Sequence, residues 1–114
     1  MFGVRKDRLS QQLQREIATV IQRELKDPRL GFVTITKVEL SSDLTHAKVA
    51  FSCLGALEER ARSQEALDHA AGFIRSLVKK RLRLKITPEI VFRYDETIAQ
   101  AIDLSAKLDQ LKKG

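Results

Sequence analysis

A chain of 114 residues with 43% apolar content has the length of one domain around one core, so a second is not expected. Its net charge of +6 favours a polyanionic partner, either nucleic acid or an anionic membrane surface. Cys53 is the single cysteine, excluding a disulfide framework or a multi-cysteine metal knuckle and suiting a reducing cytoplasm. No apolar run approaches the ~18 residues that span a bilayer, and residues 1–8 lack the apolar centre of a secretory signal.

The first predicted element is a helix from about Asp7 to Lys26, with Leu9, Leu13, Ile17, Val20 and Ile21 on one stripe. Asp27-Pro28 ends it, because proline offers no amide donor and pushes the preceding residue out of the helical region. Phe32 to Leu40 is dense in β-branched and aromatic residues and predicts a strand. Ser41-Ser42-Asp43 supplies a turn, and Ala47 to Ser52 alternates apolar with polar residues as the second strand of an antiparallel hairpin. Leu54-Gly55 then opens a long helical region from about Glu58 to Arg81. Its stripe is Leu67, Ala70, Ala71, Ile74, Leu77 and Val78, and Gly72 divides it at an expected bend. Arg81 falls on that same stripe, so the helix is expected to end or turn there rather than press a guanidinium into the core. Leu82, Leu84 and Ile86 alternate with Arg83 and Lys85 and lead as extended chain into Thr87-Pro88. Glu89 to Tyr94 predicts a third strand. Asp95 is placed to cap a final helix to about Leu111, with Ile98, Ile102, Ser105 and Leu108 as its stripe.

The order α-β-β-α-kink-α-β-α places the chain in the α+β class, with a three-stranded sheet covered by helices on one face. Should the second and third strands lie parallel, the crossover between them is expected to be right-handed. The other sheet face then presents Thr34, Thr36, Lys48, Ser52 and Arg93. Phe32, Phe51, Phe73 and Phe92 are assigned to the core, with Tyr94 at its edge.

From Arg75 to Arg93 seven bases, Arg75, Lys79, Lys80, Arg81, Arg83, Lys85 and Arg93, stand against Glu89 alone, a bias beyond that of a merely solvated helix face. Arg75, Lys79 and Arg83 follow at i, i+4 and i+8 and would form a ridge beside the apolar stripe. Arg5, Lys6 and Arg8 form a second cluster ahead of the first helix, where positive charge opposes the helix dipole. They serve either as a second phosphate contact or as a basic terminus without structure. No histidine, cysteine or carboxylate spacing resembles a metal set or a nucleophile triad, and phosphate-loop glycines are absent, so no enzyme, cofactor or metal is expected. A membrane-surface module is disfavoured because the apolar stripe of the second helix is needed to cover the sheet.

The element order resembles the type II KH fold, an RNA-binding module, with one difference: no Gly-x-x-Gly loop exists to clamp a nucleic-acid backbone. In its place Ala70-Ala71-Gly72 gives an Ala-x-Gly kink, the pattern of the bacterial ribosome-binding factor A family. The resemblance extends across nearly the whole chain, through Arg5 and Arg8, Asp27-Pro28-Arg29, Val33 to Ser41, Asp43-Leu44, Ala47-Lys48-Val49, Gly72-Phe73-Ile74-Arg75 and Pro88 to Asp95. It implies a cytoplasmic assembly factor that binds the immature small (30S) ribosomal subunit and its 16S rRNA, assists maturation and 5′-end processing, and leaves before translation. Other assembly factors are further implied partners, no membrane is involved, and a monomer is the default. The alternative is a general KH-like RNA- or DNA-binding module not tied to the ribosome. Some family members carry a longer charged tail after the point matching Gly114, so the resemblance does not by itself imply the tail-dependent functions here.

Overall fold

The computed structural model describes residues 2–97, with side chains described from Arg5 onward. Helix α1 spans Phe2–Glu24, strands β1 and β2 span Val33–Leu40 and His46–Cys53, helix α2 spans Leu57–Leu82, and strand β3 spans Glu89–Tyr94. The sheet order is β1-β2-β3, with β1 and β2 antiparallel and β2 and β3 parallel. A parallel neighbour cannot be reached by a tight turn, so α2 is the crossover that returns the chain to the start of β3. The final helix expected after Asp95 lies outside the described residues, which end with the Thr97 amide donating to Asp95 Oδ1 at 3.0 Å.

Both helices cover one face of the sheet. Leu13, Ile17, Val20 and Ile21 of α1 and Leu67, Ile74 and Val78 of α2 meet Ile35, Val38, Leu40, Val49, Phe51, Ile90 and Phe92 in one buried cluster. The 3.6-residue stripes of the sequence are therefore the core-facing lines of the two helices. Tyr94 lies at the core edge, edge-on to Phe51 with ring centroids 5.7 Å apart. Its own face is covered by the Arg60 guanidinium, 3.8 Å from the ring centre.

Strict alternation along β1 cannot bury both Ile35 and Val38, and the chain resolves this with a bulge between Ile35 and Lys37. Thr36 is the extra residue, half-buried, and its hydroxyl donates to Asp95 Oδ2 at 2.7 Å. Beyond the bulge the inward set changes parity, which buries Ile35 and turns Phe32 outward to 80% exposure. Phe73, off the α2 stripe, is also half out in solvent. The core therefore holds two of the four expected phenylalanines, Phe51 and Phe92.

Two further expectations are corrected. Arg5, Lys6 and Arg8 do not precede the first helix but lie within α1, which begins at Phe2. The long helical region is not split at Gly72: α2 runs through it as one 26-residue helix. Glycine keeps its amide donor, and its penalty of about 1 kcal/mol is outweighed by burial of Leu67, Ile74 and Val78 at roughly 1.5–3 kcal/mol each. The helix ends where the sequence requires, at Leu82, with Arg83 in the left-handed conformation at φ 52°.

The two turns read from the sequence are held by aspartates. Asp43 accepts from the Ser41 and Thr45 hydroxyls and the Thr45 amide, which lowers its carboxyl to about 2. Asp27 is likewise held at about 2, by the Arg29 side chain and backbone amide folded back upon it.

Candidate functional site

A shallow groove of about 460 Å³ opens between the second half of α2 and the chain entering β3, lined by Gly72, Arg75, Ser76, Lys79, Lys85, Ile86 and Thr87. Helical spacing places Gly72, Arg75, Ser76 and Lys79 on one outward face, and the extended segment after Arg83 lays Lys85 to Thr87 beside them. Arg75 is fixed rather than loose: Nη2 and Nε donate to the Thr87 carbonyl at 2.8 and 3.2 Å, tying helix to segment across the floor. Thr87 is 6% exposed, and its hydroxyl has no partner there.

None of Arg75, Lys79, Lys80 and Lys85 meets a carboxylate among the described residues, so their charge faces outward. Ile86, 71% exposed, adds an apolar contact among them. Gly72 contributes by what it lacks: beyond the adjoining helix backbone, a Cβ there would meet no atom of the described residues within 4 Å, and its φ is not positive. Neither backbone conformation nor internal packing requires glycine at this position. Gly72→Ala is therefore expected to raise unfolding free energy by about 0.5–1 kcal/mol in urea titration; a loss of stability would show that the helix needs the glycine.

The other predicted cations are placed differently. Arg81 does not enter the core and is not free: Nη1 and Nη2 bind Glu16 and Glu24 of α1 at 3.0 and 2.9 Å, and these carboxylates raise its already high pKa. It joins the two helices. Arg83 leaves the expected ridge because the left-handed turn rotates it off the α2 face, and Lys85 takes its place in the groove. Arg93 lies on the open sheet face, beside Ala50 in register. That face borders a second groove of about 640 Å³, where Lys37, Lys48 and Arg93 are mixed with Glu39 and Asp95. Lys37 is paired there with Glu39 at 3.0 Å, which holds that carboxyl below its usual range. Arg5, Lys6 and Arg8 lie on α1 and do not line the Gly72 groove. Ala70 and Ala71 are half-buried against the core, leaving Gly72 as the member of that triplet at the groove.

Sequence reasoning missed Ser76, Ile86 and Thr87. The alternation of Leu82, Leu84 and Ile86 predicted an extended chain, yet Leu82 is the last residue of α2, and Leu84 is half-buried while Ile86 stands in solvent.

Among the described residues no cluster of histidine, cysteine and carboxylates suits a metal ion, and no helix is long and apolar enough to cross a membrane. The sequence matches the family described as ribosome-binding factor A over residues 5–108. It is 47% identical to the ribosome-binding factor A of Natranaerobius thermophilus over 114 residues, all of this chain and 87% of that one. The protein of that name from Desulfitobacterium hafniense is 47% identical over 109 residues, covering 96% of this chain and 87% of its own. A crystal structure of ribosome-binding factor A from Thermus thermophilus superposes with a TM-score of 0.71 at 29% identity, over 78% of this chain and 93% of that one. Coordinates of the Thermus thermophilus factor fitted into a cryo-EM map of its complex with the 30S subunit superpose with a TM-score of 0.64 at 30% identity, over 75% and 90% of the two chains. The family model and these relatives cover nearly the whole chain, and they are binding factors rather than enzymes: the chain belongs to the ribosome-binding factor A family.

Proposed function

We propose that this protein binds the immature small (30S) ribosomal subunit in the cytoplasm by contacting its 16S rRNA through the Gly72 groove. There it assists maturation and 5′-end processing and departs before translation. The observation that carries this reading is the set of cations, Arg75, Lys79 and Lys85, with no carboxylate partner among the described residues, around a glycine that no packing among those residues requires. Lysine and arginine supply affinity for phosphate, and a helix surface without a Cβ permits close approach of a sugar-phosphate backbone. Aromatic platforms for unstacked bases are absent from the groove lining, so folded RNA fits it better than a single strand. Arg5, Lys6, Arg8, Lys80, Arg83 and Arg93 supply flanking positive charge, while Arg81 acts through the scaffold.

Ultraviolet crosslinking of the protein to purified small subunits, followed by sequencing of the attached RNA, tests the proposal. A compact set of 16S rRNA nucleotides is expected. Crosslinks scattered along the RNA, or removed equally by competing unrelated DNA, would replace it with the general nucleic-acid module.

A further inference from the structure

Cations attract any polyanion, DNA included, so the charge of the Gly72 groove does not decide which sugar it takes. The groove also holds two hydroxyls, on Ser76 of α2 and on Thr87 of the segment beside it. Their situations differ. The Thr87 oxygen is enclosed, in a residue whose backbone carbonyl is already held by Arg75. Ser76 stands exposed. A hydroxyl within a helix commonly donates to the carbonyl four residues back, as Ser10 does to Lys6 and Thr19 to Arg15, both at 2.9 Å. Ser76 makes no such bond to Gly72, nor any other side-chain hydrogen bond among the described residues. It is the hydroxyl of the groove that a ligand can reach.

Position decides what that hydroxyl meets. Ser76 lies one helical turn, about 5.4 Å, beyond Gly72 on the groove-lining face of α2, and it falls between Arg75 and Lys79. Those two cations have no carboxylate partner among the described residues, and as charged donors they claim phosphate oxygens. Two phosphates held by flanking cations bring the sugar that joins them onto the strip between, where Gly72 and Ser76 present nothing larger than a hydroxymethyl group. A serine hydroxyl both donates and accepts, and so does a ribose 2′-hydroxyl. Deoxyribose offers only carbon and hydrogen at that position.

We infer that Ser76 is the residue by which the groove selects RNA over DNA, its Oγ hydrogen-bonded to the 2′-hydroxyl of a ribose whose phosphates are held by Arg75 and Lys79. This inference rests on the reading that RNA lies in the Gly72 groove, and it names the sugar as the feature recognised there. The cations set how tightly a strand is held, and the serine sets which polymer it is.

A synthetic RNA hairpin and its 2′-fluoro counterpart test this on the full chain, because fluorine keeps the A-form duplex and every phosphate while removing the hydroxyl. In fluorescence-anisotropy titrations at low salt, the unsubstituted protein is expected to bind the ribose hairpin about fivefold more tightly, the effect of one neutral hydrogen bond. Ser76→Ala should bring the ribose hairpin down to the affinity of the fluoro one, with the fluoro affinity and the salt slope unchanged. Thr87→Val, which removes the enclosed hydroxyl, should keep the full preference. Equal binding of both hairpins by the unsubstituted protein, a preference that survives Ser76→Ala, an equal loss on both hairpins, or a preference lost in Thr87→Val would overturn the assignment. Failure of the underlying reading has a different signature: Lys79→Glu with Lys85→Glu then binds the ribose hairpin as tightly as the unsubstituted protein does.

Discussion

Replacing Phe51 with alanine is expected to lower the unfolding free energy by about 3–5 kcal/mol, enough to remove roughly a fifth or more of the roughly 5–15 kcal/mol that holds a domain of this size together. Phe51 is fully buried on the central strand, between β1 and β3, and its ring meets Tyr94 edge-on. Truncation removes the transfer energy of the ring and opens a cavity that Val49, Leu67 and Phe92, each 0% exposed in the same core, cannot collapse to fill without leaving their own contacts. Urea unfolding followed by circular dichroism checks this, and a midpoint shift of roughly 2 M or more is expected at a slope of about 1–2 kcal/mol per M. A cost below about 1 kcal/mol would mean that the packing at the sheet centre is not as described.

Reversing charge at the groove, with Lys79→Glu and Lys85→Glu together, is expected to reduce small-subunit affinity roughly 30- to 100-fold near ~0.1 M salt while leaving the fold intact. Both side chains are exposed and make no ion pair among the described residues, so the substitutions remove no internal contact. Each phosphate contact contributes about 0.7–0.9 to the slope of log affinity against log salt. Losing two should therefore flatten that slope by about 1.5. Cosedimentation across a salt series measures both quantities. Unchanged affinity and slope would remove the groove from the interface. Arg81→Ala provides the contrast: by releasing Glu16 and Glu24 it should lower thermal stability without changing the salt slope, since its charge is already occupied.

The elements were legible in the sequence because their determinants are local. Stripes at Leu13 to Ile21 and Leu67 to Val78, the stop at Asp27-Pro28 and the β-branched runs each specify structure within a few residues. What escaped was set by contacts distant in sequence. The β1 bulge depends on Ile35 and Val38 sharing one core, and it sends Phe32 outward. The role of Arg81 depends on Glu16 and Glu24, carboxylates on another helix, which no single-segment periodicity reveals. At the groove, Gly72, Arg75, Lys79 and Lys85 could be named from local charge density. Thr87 and Ile86 join them only because α2 and the start of β3 come side by side.

The parallel placement of β3 has a consequence for how the molecule is made. Emerging from its own synthesis, the chain presents α1, the β1-β2 hairpin and α2 before Ile90 and Phe92 exist, and those two side chains complete the buried cluster. Until they arrive, Val49, Phe51 and Ile74 have an unfinished cover, and the nascent polypeptide displays oily surface that chaperones recognise. Closure then depends on a pairing across a long stretch of sequence, from His46 opposite Glu89 to Phe51 opposite Tyr94, the slow kind of step in folding. A factor built this way acquires its working shape all at once, when β3 pairs with β2.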